Sequence, residues 1–304
     1  MDIISLDDYK SIVREERQTY FKQPYDLVYD KFVELGYDTK DTNFFLENAS
    51  EVVENLRTSC WDEYKPLERD FTSCMLSKLI DEESIDEFTP VEAISWFVER
   101  YPDHMYALNL SNTQSRRSRA GKEFESIIEL TLIGAGVSID SQGNIGKSEF
   151  LKKGLGKLVD IVSPGVLEYI VNKRNTVLIS AKTTLRERWQ EVPEEMGRTG
   201  AREMFLATLD ETISDDVLNN LYEANIQVTT TKRIKERYYP NNHRVLTFEA
   251  LVEICQNNQQ HWADFHYTEE QKEQTEELIR KQINKHEYHS FVKSHYVDRL
   301  NKIE

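Results

Sequence analysis

The chain has 304 residues, 39% of them apolar and 11% aromatic, enough to bury a substantial core without disulfides. It has no run of eighteen apolar residues, and its opening, MDIISLDDYKSIVREER, lacks the apolar stretch and small-residue cleavage site of a secretory leader, so a cytoplasmic globular protein is expected rather than a membrane or exported one. A formal charge of −16 argues against indiscriminate attachment to a phosphate backbone, which is held mainly by Lys and Arg.

That charge is unevenly spread. Residues 1–110 carry 25 acids and 11 bases, a net of −14, leaving −2 for residues 111–304. In the second part Arg116, Arg117, Arg119 and Lys122 cluster, followed by Lys147, Lys152, Lys153 and Lys157 and then by Lys182, Arg186 and Arg188. Such a series forms either a phosphate-facing stripe or an ordinary solvated surface. Cys60, Cys74 and Cys255 are odd in number and lack histidines at zinc spacing, so they are expected to be buried free thiols.

In chain order, the first third reads as helical: residues 25–35 ending at Gly36, residues 44–56, and a helix opened by the cap and proline Thr89-Pro90. A polar link is expected over 109–118. It leads into a helix over 119–133, where Phe124, Ile127, Ile128 and Leu132 recur at helical spacing before Gly134 and Gly136. Short β-rich runs follow at 158–162, 166–171 and 176–181, expected as neighbouring strands joined by tight turns. Residues 204–209 and 226–230 read as further strands flanking a helix over 214–224. The tail from 268 reads as one or two charged helices without strong caps, packed on the surface or against a dimer partner. The expected fold is α/β, a central mixed sheet flanked by helices with a helical N-terminal region, divided into 1–110 and 111–304.

Two positions break the apolar pattern of the strands. Asp160 stands alone in Leu158-Val159-Asp160-Ile161-Val162, and Lys182 ends Val177-Leu178-Ile179-Ser180-Ala181-Lys182. A charge so placed is costly unless paired or metal-bound. Taken singly, Asp160 reads as a turn residue and Lys182 as an edge cation. On adjacent strands they meet the needs of metal-dependent phosphodiester hydrolysis, with a carboxylate to hold Mg²⁺ and a cation near the attacked phosphate.

The run Val-Asp-Ile…Ile-Ser-Ala-Lys-Thr-Thr-Leu-Arg-Glu-Arg-Trp-Gln-Glu-Val resembles the EcoRII/SsoII-like type II restriction endonucleases of the PD-(D/E)XK class, over residues 115–205. Chain length and the helical N-terminal region match the subgroup that reads CCNGG. The resemblance implies a mixed sheet with helices on both faces, an active site at the sheet's end, Mg²⁺ as cofactor and a homodimer straddling double-stranded DNA. Ser180 stands where the usual pattern has an acid. In this group the missing carboxylate comes from the helix after the lysine strand, which points to Glu195 as a metal ligand with Asp160; Glu191 and Glu194 compete for the role. Glu125 is a further candidate acid, or a solvated helical glutamate.

Arg186, Glu187 and Arg188 suit two adjacent C·G pairs, since Arg matches guanine O6/N7 and a carboxylate accepts from cytosine N4; otherwise they open a solvated helix with a local ion pair. The resemblance implies base reading by this triplet. Gln114 is a candidate for a further base-edge contact, and Arg116, Arg117 and Arg119 for phosphates. Arg57 and Trp61, four apart on a helix, form a local cation–π pair or flank a flipped central base. Other readings are a structure-selective repair or recombination nuclease, a site-specific DNA-binding protein that has lost cleavage, and a helical interaction protein.

Overall fold

Short apolar runs separated by Gly, Pro and Asn become strands, and the helices between them decide which strands lie parallel. The computed structural model describes residues 4–186 and 188–303. Its strands are β1 (Asp140–Ser141), β2 (Ile161–Ser163), β3 (Val177–Lys182), β4 (Met204–Thr208), β5 (Ile226–Thr230) and β6 (Val245–Thr247). Among the described residues they form one six-stranded sheet in the order β1-β2-β3-β4-β5-β6. β1–β2 and β2–β3 are antiparallel, while β3–β4, β4–β5 and β5–β6 are parallel. Parallel pairs require crossovers, supplied by helices Glu191–Thr199, Asp215–Glu223 and Lys232–Tyr238.

The register sets which side chains share a face. Val162 lies opposite Leu178, and Leu178 beside Met204, with Ser180 beside Leu206 and Leu206 beside Val228. Val162, Leu178, Met204, Leu206 and Val228 enter one apolar cluster with Val192 and Met196 of Glu191–Thr199 and Leu218 and Leu221 of Asp215–Glu223. Helix Phe248–Gln260 packs on β2, β3 and β5 through residues outside that cluster, covering the opposite face, where Ile161, Ile179 and Phe205 are buried.

The chain forms two compact units, Met1–Leu27 with Thr58–Lys122 and Val28–Arg57 with Glu123–Glu304. The first is helical and has its own core of Tyr9, Val13, Phe21, Tyr64, Phe71, Met75, Leu79, Tyr101 and Leu108. The second holds the sheet. The division at 110/111 follows the fall in acidic charge, whereas the compact units interleave along the chain.

Several expected elements change. Val166–Val171 is a helix, not a strand. A short continuous apolar run has no period that separates a strand from a buried helix; here the Asp140 carboxylate accepts from the Val166 N–H at 2.8 Å, satisfying the first turn. Residues 109–118 lie within helix Pro102–Gly134. Asn112 is buried there and bonded to Thr72 at 2.9 Å and Arg17 at 2.5 Å, so its polarity is an internal tie rather than a loop signal. The helix expected over 44–56 belongs to Thr42–Ser77, kinked at Asn48, whose side chain bonds back to the Phe44 carbonyl at 2.9 Å. The tail has two helices, Glu269–Lys285, opened by a Thr268/Gln271 capping box, and Ser290–Asn301. Cys74 is exposed, while Cys60 and Cys255 are buried, and none of the three is joined in a disulfide. Among the described residues no helix is long and apolar enough to cross a membrane.

The tail is fastened to the β1 edge by buried polar groups. Asp140 accepts from Arg299 and from Gln282, both at 2.7 Å, and Arg299 also donates to the Ile139 carbonyl at 2.8 Å. Removing one member of a buried pair leaves the other charge uncompensated. Arg299→Met is therefore expected to lower the unfolding free energy by about 3–5 kcal/mol, read from the midpoint of urea denaturation.

Candidate active site

β2 and β3 bring Asp160 and Lys182 together by register. Ile161 faces Ile179, so the preceding pair is Asp160 and Ser180; the Asp160 N–H donates to the Ile179 carbonyl at 2.9 Å. Residues 160, 180 and 182 thus share the face covered by helix Glu191–Thr199. Asp160 Oδ2 accepts from the Ala181 N–H at 2.7 Å and from Lys182 Nζ at 3.1 Å. Lys182 Nζ also donates to the Ala181 carbonyl at 2.9 Å. Burial pushes the Asp160 carboxyl up from its ordinary value, opposed by the Lys182 ammonium, the Ala181 N–H and the more distant Lys147. Gln142 pins the same strand, its N–H to the Asp160 carbonyl at 2.8 Å and its amide to that of Val159 at 2.9 Å.

Glu195 lies on the helix over this face and is only 5% exposed. Its Oε1 accepts from the Leu158 N–H at 3.4 Å, two residues before Asp160, and Oε2 lies 3.7 Å from Arg198. Glu191 and Glu194 are exposed, and Glu194 pairs with Arg198. Burial therefore separates the three glutamates that spacing left open. Ser180 is fully buried, and its hydroxyl has no partner among the described residues. Glu125 is half-buried on helix Pro102–Gly134 and already engaged.

Beyond Lys182 the chain turns sharply. Leu185 is buried and its N–H donates to Asp210 Oδ2 at 2.9 Å. Arg186 follows, exposed and with φ of +43°, a region that non-glycine residues enter at a cost of about 1–3 kcal/mol. Glu187 lies outside the described residues, and the backbone of Arg188 opens a short 3₁₀ turn, Arg188–Gln190. Trp189 is half-buried against the core, and Trp262 bonds the Asn175 carbonyl at 2.8 Å.

In the sheet-bearing unit, Arg57 pairs at 3.0 Å with buried Glu123. In the helical unit, Trp61 is 40% exposed and tilted against Tyr64, with ring centroids 6.2 Å apart. Arg116 pairs with buried Glu68 at 2.5 Å, and Arg119 donates to the Lys22 carbonyl at 2.8 Å while lying over the Tyr64 ring. Gln114 and Arg117 are exposed. Sequence reasoning missed Glu68, Glu123, Gln142 and Asp210. Nothing in an acid-rich composition marks which acids fold inward to hold an arginine or a loop.

The EcoRII C-terminal family matches residues 84–252. The type II restriction enzyme SsoII of Shigella sonnei is 52% identical over 303 residues, covering 100% of this chain and 99% of that protein. This chain belongs to the EcoRII/SsoII-like type II restriction endonucleases. Metal-depleted Ecl18kI in complex with uncleaved, modified DNA superposes with a TM-score of 0.94 at 51% identity, over 98% of this chain and 99% of that one. Restriction endonuclease PspGI in its substrate DNA complex shares the fold, with a TM-score of 0.57 at 19% identity over 79% and 95% of the two chains.

For a restriction endonuclease of this kind the donor set is informative. Among the described residues no group of three or more His, Cys, Asp or Glu side chains stands ready to hold a metal. The site offers two buried carboxylates, and nothing among the described residues donates to Asp160 Oδ1. These are hard oxygen donors of the kind that suit a small divalent cation, which completes its shell with water and phosphate oxygens.

Asp210 holds the turn that carries Arg186. Asp210→Ala is expected to leave the Leu185 N–H without its acceptor, lower stability by about 1–3 kcal/mol and speed amide exchange at residues 183–186, measured by hydrogen–deuterium exchange.

Proposed function

We propose that this chain is a Mg²⁺-dependent endonuclease that hydrolyses double-stranded DNA at a short CC…GG pseudopalindrome, CCNGG, leaving 5′-phosphate ends. The observation that carries the reading is the Asp160–Lys182 contact at 3.1 Å on the sheet face that also buries Glu195. The relatives add support: Ecl18kI and PspGI are both described in complexes with DNA.

Asp160 and Glu195 would hold the metal. When bound, Mg²⁺ supplies charge neutralisation at the phosphate and lowers the pKa of a coordinated water. Asp160, held through Oδ2 by the Ala181 N–H and Lys182, would keep its other carboxylate oxygen for holding the metal. Lys182 holds its ammonium beside Asp160 and steadies the attacking oxygen or the negative charge on the oxygens of the pentavalent phosphate. Glu125 is a further candidate acid for this site.

Arg186, Glu187 and Arg188 read the C·G pairs, with Gln114 adding a base-edge contact. Arg116, Arg117 and Arg119 position phosphates. A homodimer presents the reading elements twice and so reads CC and GG on either side of a central pair. Arg57 and Trp61 stack on a central base turned out of the helix, the exposed indole supplying an apolar face.

Digestion of a fully sequenced plasmid, followed by sequencing of the ends, is expected to give discrete cuts at CCNGG with Mg²⁺ and none with EDTA. Asp160→Ala and Lys182→Ala are expected to bind the site but cleave at least about 10²–10³-fold more slowly. Cleavage by either variant at the normal rate would overturn the catalytic assignment, and tight binding without cutting by the unaltered protein would make it a site-specific DNA-binding protein.

A duplex with 2-aminopurine at the central position is expected to brighten on binding. Trp61→Ala should reduce that change and weaken binding by about 1–3 kcal/mol; an unchanged signal with the unaltered protein would count against base flipping.

A further inference from the structure

Residues 153–160 join helix Lys147–Lys152 to β2 and contain two glycines with different reasons to be glycine. Gly154 has φ of +80° with nothing within 4 Å of the position of a Cβ, so it serves the turn. Gly156 is buried and its φ lies outside the left-handed region, so backbone conformation does not call for it. A Cβ there would lie 2.0 Å from Glu195 Oε1, 2.4 Å from Cδ and 2.5 Å from Cγ. The outer half of the Glu195 side chain therefore occupies the space a side chain at 156 would take. Gly197, on the same helix as Glu195, has nothing within 4 Å of its own Cβ position.

Glu195 is enclosed, only 5% exposed. Its neighbours Val192 and Met196 are in the core, and so are Leu155 and Val159 on either side of the glycine. The backbone donor that holds its Oε1, the Leu158 N–H, is 3.4 Å away, a weak tie. Shape does more than hydrogen bonding to fix this carboxylate.

We infer that Gly156 is a positioning residue for Glu195: its missing side chain is the seat that holds the carboxylate in the orientation in which it serves the divalent cation. This rests on the reading of Glu195 as a metal-holding acid. A methyl at 156 would force Oε1 or the 156 backbone to give by about 1.4 Å before the contact reached the 3.4 Å at which such approaches become ordinary. A misplacement of about 1 Å is enough to cost roughly 10² in rate, and displacing the groups that orient metal ligands costs about 10–100-fold in affinity.

The test uses the intact protein and two readouts. In plasmid cleavage, Gly156→Ala is expected to raise the Mg²⁺ concentration for half-maximal rate by about 10-fold or more, while Gly197→Ala leaves it within about 2-fold of the unaltered protein, because its added methyl meets open space. In urea unfolding, which does not depend on metal, Gly156→Ala is expected to lower the midpoint of the unaltered protein. It should leave the midpoint of Glu195→Ala unmoved, because the side chain it collides with is gone. An unchanged Mg²⁺ requirement in Gly156→Ala, or an equal loss of stability in both backgrounds, would overturn the proposal. Normal cleavage by Glu195→Ala would overturn the metal-holding role of Glu195, and with it the purpose assigned to the seat, while the unfolding cycle would still report whether glycine and glutamate are packed against each other.

Discussion

A carboxylate at the end of an apolar strand is tolerated only when its surroundings return some of the hydration it gives up. Asp160 takes one backbone N–H and one ammonium on the same oxygen, and the β2–β3 register delivers both. A slip of one residue in that register would turn Asp160 to the opposite face and separate it from Lys182. The tight pairing of two short strands is thus the constraint on which the site rests. Gln142, bonded to the carbonyls of Val159 and Asp160, and the antiparallel β1 hold that pairing from its outer side.

The same geometry accounts for the departure at Ser180. The position shares the site face but is fully enclosed, with Leu206 as its neighbour on β4. A carboxylate there would be desolvated, whereas Glu195, on the overlying helix, keeps its backbone on another element and reaches the Leu158 N–H through its longer stem. The helix that supplies it also forms the apolar cover through Val192 and Met196, so core packing and acid placement are set by one amphipathic segment.

Much of this was legible in residues. Asp160 and Lys182 stood out because each interrupts an apolar run, and β3, β4, β5 and the helix capped by Ser214 follow from period and flanking turn residues. Val166–Val171 was not legible, because its identity as a helix depends on Asp140, some 26 residues earlier. The helical run through 109–118 was hidden for a similar reason, its polar residues finding partners on other helices. Which of Glu191, Glu194 and Glu195 is buried is something spacing alone does not report. The partners of Arg57 and Arg116 were likewise invisible, since Glu123 and Glu68 come from elsewhere in the chain.

Segment 28–57 belongs with the sheet rather than with the helical residues on either side of it in sequence. Phe32, Phe45, Val52, Val53 and Leu56 are wholly buried; Phe32 lies against Phe291 of the last helix, and Phe45 fills the space that Gly134 leaves open. The sheet-bearing unit of this molecule is therefore not a detachable module. Starting the chain at 111 would discard a wall of its hydrophobic interior, and isolating the unit intact would require rejoining two distant stretches of sequence, as in a circular permutant.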